Sequence, residues 1–67
     1  MRVKVEVAGS GVFEVEVDEG ATVADLFERL GLNPESYVAL VDGGLVVEEE
    51  PLRDGATVVL VKAHFVG

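Results

Sequence analysis

Four features of this 67-residue chain could carry chemistry, and the most informative is its end. Thr57 to Lys62 reads T-V-V-L-V-K, apolar without alternation from Val58 to Val61, the pattern of a strand covered on both faces. Beyond it Ala63, His64, Phe65, Val66 and Gly67 show no periodicity, and no later element follows to pack over them. A chain that ends just past its most buried strand presents its own α-carboxylate, at Gly67, to the outside. The expectation is a flexible tail over about residues 63–67. His64 is the sole histidine; with no cysteine and no suitably spaced carboxylate it forms no metal site and reads as a tail residue that touches a partner or nothing. Phe65 has no core ahead of it, so it either anchors in a partner's pocket or packs back on its own sheet. The run Glu48-Glu49-Glu50 could be imagined as acid-base groups, but nothing apolar surrounds it to separate their pKa values, and a solvated loop is the simpler account. Gly43-Gly44 could cradle a phosphate only if a helix started after it; none does, so the pair belongs to a turn.

Composition narrows the classes. Thirteen acidic against five basic residues give a net charge of −8, which repels phosphate backbones and anionic headgroups. Nucleic acid and membrane surfaces are therefore excluded as partners, and the acidity serves either solubility or complementarity to a basic docking groove. No apolar run approaches the roughly 20 residues of a membrane span. The N-terminus M-R-V-K-V-E-V alternates charge with valine, unlike a signal peptide, which points to the cytoplasm. Without cysteine, disulfides and thiolate sites are ruled out, and apolar packing alone must hold one small domain, residues 1–67.

The elements that must position the tail follow from periodicity. Arg2 to Val7 alternates strictly, with Val3, Val5 and Val7 on one face. After Gly9-Ser10-Gly11, Val12 to Asp18 alternates again with Phe13, Val15 and Val17 facing in, which makes an N-terminal hairpin. Thr22, followed three residues later by Asp25, predicts a helix start; Val23, Leu26, Phe27 and Leu30 form one apolar stripe, and Gly31 is the natural C-terminal cap. Asn33-Pro34 favours a turn, Tyr37 to Val41 a third strand, Asp42-Gly43-Gly44 a tight turn and Leu45 to Val47 a short fourth strand. Pro51 to Gly55 turns the chain, with Leu52 plugging the edge of the core, before the last strand. The order strand, strand, helix, strand, strand, strand is satisfied by an α+β fold, a mixed sheet of four to five strands with the helix across one face and the first and last strands parallel at its centre. That is the β-grasp arrangement; a split β-α-β ferredoxin-like half would need a second helix. The helix stripe of Leu26, Phe27 and Leu30 should pack on Val5, Val15, Val58 and Leu60. Val59 and Val61 then face the other way and join Ala39 or Val41 in an apolar patch on the open face, a candidate contact site.

The run V-A-L-V-D-G-G-L-V-V-E-E-E-P-L-R-D-G-A-T-V-V-L-V from Val38 to Val61 resembles the second half of the ThiS and MoaD sulfur carriers. It is still more similar to the ubiquitin-like small archaeal modifier proteins, which share the V-x-V-E-V strand seen at Val3 to Val7 and the A-D-L helix seen at Ala24 to Leu26. The resemblance covers essentially the whole chain. It implies a carrier that is not itself an enzyme, whose terminal glycine carboxylate is adenylated by an ATP- and Mg-dependent activating enzyme. The acyl adenylate then becomes a thiocarboxylate for sulfur transfer, in tRNA thiolation or molybdopterin or thiamin synthesis, or is passed to a lysine as an isopeptide bond. On this reading the chain is a monomer that binds no cofactor of its own; the activated group is Gly67, the tail contacts are Val66, Phe65 and His64, and Val59, Val61 and Val41 face the partner. The family ends in Gly-Gly because the tail threads a narrow channel that a Cβ would obstruct. This chain ends Val66-Gly67, so either Val66 replaces the penultimate glycine, or a last glycine is missing from the sequence or shifted by one residue. The rival reading is a noncovalent β-grasp interaction module with an inert tail.

Overall fold

The computed structural model describes residues 1–63 of the chain. Its elements are β1 (Arg2–Val7), β2 (Val12–Glu16), α1 (Val23–Leu30), a single 3-10 turn at Pro34–Ser36, β3 (Tyr37–Val41), β4 (Gly44–Val46) and β5 (Thr57–Lys62). The sheet order is β2-β1-β5-β3-β4, with β1 and β5 parallel and the remaining neighbours antiparallel. This is the β-grasp fold, with the C-terminal strand at the centre. No helix among the described residues is long and apolar enough to cross a membrane.

Helix α1 has only eight residues, too few to persist on propensity, so its ends and its packing must hold it. All four amides that a helix start leaves unpaired have partners. The Thr22 amide donates to Asp25 Oδ2 at 2.9 Å and the Asp25 amide to Thr22 Oγ1 at 3.3 Å, closing the expected capping box. The Val23 and Ala24 amides donate to the carbonyls of Glu50 and Glu48 at 3.0 and 2.9 Å. The acidic loop thus reaches solvent with its side chains while its backbone caps the helix. At the other end Gly31 sits in the left-handed region and ends the helix, with its amide donating to the Glu28 carbonyl and that of Leu32 to the Phe27 carbonyl. Thr22→Ala is expected to cost about 0.5 to 2 kcal/mol, read as a lower urea midpoint at unchanged slope. An unchanged midpoint would show that the Glu48 and Glu50 carbonyls suffice.

The core forms where the stripe of α1 meets one face of the sheet. Val23, Leu26 and Phe27 are buried against Val3, Val5, Val15, Ala39, Val58 and Leu60, and Leu52, with Ala21 and Ala56, closes the edge. Leu30 packs at the margin and stays half-buried, so its part in the expected contact set is smaller than that of Leu26. Three boundaries differ from the sequence reading. β2 stops at Glu16 rather than Asp18, although Val17 keeps its inward side chain and donates one more bond to the Met1 carbonyl. Pro34–Ser36 forms a short 3-10 turn capped by the Asn33 side chain. β4 runs Gly44–Val46 rather than Leu45–Val47, because the connection after β3 has only two residues, Asp42 and Gly43, both at positive φ. That is the turn whose twist suits adjacent antiparallel strands. Asp42 also grips β5: its amide donates to the Thr57 carbonyl at 2.9 Å, and its Oδ1 accepts from the Thr57 amide at 3.0 Å.

Phe13, read as facing in, lies on the helix side opposite Val5, yet it is 39% exposed. β2 is an edge strand, and of its inward side chains only Val15 is buried with the core. Surface charge is largely unpaired among the described residues: the ion pairs join the partly buried N-terminus and the exposed Arg2 to Glu16 at 3.5 and 3.6 Å. With a net charge of −8, self-repulsion works against the compact state. Raising NaCl from about 0.1 to 1 M shortens the screening length from about 10 to 3 Å. Relief of about 1 kcal/mol corresponds to a rise of about 4–8 °C in Tm for a domain of this size. A flat or falling Tm across that range would remove repulsion as a significant term.

Candidate functional site

β5 carries the tail, and its neighbours decide how firmly. Lys4 to Val7 of β1 flank it in parallel on one side, and Tyr37 to Val41 of β3 in antiparallel register on the other. The last of these bonds lies beyond the strand itself, where the Ala63 amide donates to the Ser36 carbonyl at 2.8 Å. The root of the tail is therefore pinned to the start of β3. His64, Phe65, Val66 and Gly67, together with the expectation of a flexible tail, lie outside the described residues.

Residues directly opposite across a sheet share a face. Leu60 pairs with Ala39 and Val58 with Val41, so Ala39 and Val41 stand on the helix side with the core. Their assignment to the open-face patch is corrected: Val41, expected to face a partner, packs against the buried cluster. Val59 and Val61 do face outward, and their true neighbours are Leu40 and Val38 of β3. From Leu40 the row continues to Leu45 of β4, and from Val59 to Glu6 of β1 and Val12 of β2. Leu45 is 72% exposed, Val61 39% and Val38 38%. Sequence reasoning missed Val38, Leu40 and Leu45. The signal was present in the unbroken apolar run of β3, which requires both faces to be covered, but it did not say by what.

The open face is divided. The half built from β5, β3 and β4 is aliphatic. The half built from β1 and β2 is charged, with Lys4 opposite Glu14 and Arg2 opposite Glu16, and the Arg2 amide held by Asp54 Oδ1 at 2.9 Å. An aliphatic field beside a charged one, on the strand that leads to the tail, suits the docking of another protein more than catalysis. Among the described residues no group of three His, Cys, Asp or Glu side chains is placed to hold a metal, and no buried side-chain polar atom lacks a partner. The triplet Glu48-Glu49-Glu50 lies largely in solvent, as expected of a loop. The helix start has no amide left over for an anion, since all four are taken within the protein.

Comparison with known proteins agrees with this geometry. The chain is 42% identical over 53 residues, 79% of its length and 80% of the relative's, to small archaeal modifier protein 2 of Haloferax volcanii. The crystal structure of small archaeal modifier protein 1 from the same organism superposes with a TM-score of 0.77 at 21% identity over the whole of both chains, which speaks to the fold. A putative molybdopterin converting factor, subunit 1, from Pyrococcus furiosus also gives a TM-score of 0.77, at 28% identity over 91% of this chain and 95% of that one. The sequence profile described as small archaeal modifier protein 2 matches residues 1–62. Such proteins are ubiquitin-like tags rather than enzymes, and by this match over nearly its whole length the chain belongs to the small archaeal modifier protein 2 family.

Proposed function

We propose that this ubiquitin-like modifier or sulfur carrier acts through the carboxylate of Gly67, in the cytoplasm, as the substrate of an adenylating enzyme. The carboxylate oxygen attacks the α-phosphate of ATP and pyrophosphate leaves; hydrosulfide, or a lysine Nζ that gives up a proton, then attacks the acyl carbon and displaces AMP, to give a thiocarboxylate or an isopeptide bond. ATP and Mg belong to the activating enzyme. The observation that carries the reading is the position of β5, central in the sheet, pinned at Ala63, and bearing Val59 and Val61 in an aliphatic field on the open face. A docking protein that covers this field lies beside the root of the tail. Four residues separate Ala63 from Gly67, a reach of at most about 13–14 Å when extended. The catalytic nucleotide must therefore bind close to the docking surface, with His64, Phe65 and Val66 lining the approach.

ATP–pyrophosphate exchange with the cognate activating enzyme tests this directly, and the mass gained when sulfur replaces oxygen at the terminus separates the two fates. Absence of exchange with an enzyme that charges other carriers of this type would favour a noncovalent module. For the open face, Leu45→Glu and Val61→Glu are expected to raise the carrier's KM in that assay about tenfold or more, as for buried anchors of an interface. Both side chains are exposed, so the melting temperature should hold. An unchanged KM would place the docking surface elsewhere.

A further inference from the structure

At the β4 edge of the sheet an apolar concavity opens mainly on the helix side and borders the docking face at Val38 and Leu45. It lies between α1 and the β3–β4 hairpin, as a hollow of about 250 Å³ adjoined by a shallow, open depression, the two sharing Pro34, Tyr37 and Glu48. Phe27 and Tyr37, whose rings lie 6.4 Å apart, and Ala39 form the floor, and the largely exposed Leu45 stands at the lip. The rim is acidic: Glu35 and Glu48 line it, both are exposed, and neither has a cationic partner among the described residues. Lys62, opposite Tyr37 on β5, is the cation in register with the groove, and it is outnumbered by the two rim carboxylates.

We propose that this groove is a second docking site, one that takes a basic peptide segment through a single large aliphatic side chain flanked by arginine or lysine. The apolar lining accounts for the aliphatic anchor: Phe27 and Ala39 at the floor are almost fully buried, and the apolar surface left to cover belongs to Pro34, Tyr37 and Leu45. The rim accounts for the charge. Unpaired carboxylates on both sides of an apolar floor favour cations that satisfy them as the groove closes. A second copy of the chain is the poorer occupant, because its own net charge of −8 would bring acidic surface to acidic rim. The site goes beyond the carrier reading, does not use the tail, shares only the margin of the open face at Val38 and Leu45, and would let the protein hold a basic partner while its terminus is engaged elsewhere.

The test is a titration of ¹⁵N-labelled full-length protein at low salt with a synthetic amidated peptide, Arg-Arg-Leu-Arg-Arg. Parallel titrations use peptides carrying alanine in place of leucine or glutamate in place of the arginines. Saturable shifts are expected at the amides of Phe27, Tyr37, Val46 and Glu48, at least about tenfold weaker binding for the alanine peptide, and none for the glutamate peptide. In the double variant Glu35→Gln, Glu48→Gln affinity should fall about tenfold, with amide positions away from the groove and the rate of pyrophosphate exchange unchanged. Equal binding of the leucine and alanine peptides would reduce the effect to general charge attraction and overturn the proposal. So would shifts centred on Val59 and Val61, or concentration-dependent shifts at the groove without peptide, which would make a second copy the occupant. The readout needs no activating enzyme, so its failure and that of the carrier reading are separate results.

Discussion

Replacing Val66 by glycine is expected to speed adenylation of the terminus by roughly five- to a hundredfold, which corresponds to relief of a clash of about 1 to 3 kcal/mol. If Gly67 is activated inside a channel sized for glycine, the valine side chain one residue before it is a steric load at the point of closest approach. Glycine also enlarges the conformational freedom of the free tail, which opposes binding by about 0.4 to 1 kcal/mol, so only a gain well beyond that scale is diagnostic. The comparison is wild type, Val66→Gly and a variant extended by one glycine, all at saturating ATP. A gain from the substitution identifies Val66 as standing in for a penultimate glycine. A gain from the extension alone identifies a missing last residue. Inactivity of all three, with an enzyme competent on related carriers, would leave the noncovalent module as the better account.

Leu60→Ala is expected to cost about 3 to 5 kcal/mol, the upper part of the range for emptying a fully buried leucine site. Leu60 has 0% exposure at the centre of β5, opposite Ala39 on one side and Val7 on the other. Ala39 is small and the flanking strands are hydrogen-bonded in place, so little can move in to fill the space. A domain of this length has a total stability of about 3 to 10 kcal/mol, so the variant should be largely unfolded at room temperature or lose most of its urea midpoint. Val61→Ala, one residue along on the outward face, is expected to stay within about 0.5 kcal/mol of wild type. Similar midpoints for the two variants would mean that the faces of β5 are exchanged. Loss at Leu60 with retention at Val61 also separates folding from docking, because only the second position should move the KM of activation.

Much of this architecture was legible from local rules. Strict alternation from Arg2 to Val7 specifies a half-buried strand wherever it is placed. The apolar stripe of Val23, Leu26, Phe27 and Leu30, framed by Thr22, Asp25 and Gly31, specifies a helix with its ends, because capping and stripe depend on neighbours within four residues. An eight-residue helix between two hairpin-like pairs leaves few ways to cover its stripe, and a centre of parallel first and last strands is one that short right-handed connections permit.

What only the tertiary structure decided is which face each side chain of β3 takes, and with it the make-up of both docking surfaces. Tyr37 to Val41 is apolar at every position, so its sequence holds no parity, and a shift of one residue would exchange the faces. The pairing of Ala39 with Leu60 settles it: the small residue goes under the helix opposite the largest apolar side chain of β5, and Val38 and Leu40 go outward beside Val61 and Val59. Phe13 shows the same dependence, since inward parity buries a side chain only where something lies over it: on the same edge strand Val15 is buried and Phe13 is not. The carbonyls of Glu48 and Glu50, which complete the cap of a helix more than twenty residues earlier, were beyond local reading for another reason. Every residue has a carbonyl, and only the path of the chain decides which one meets an unpaired amide.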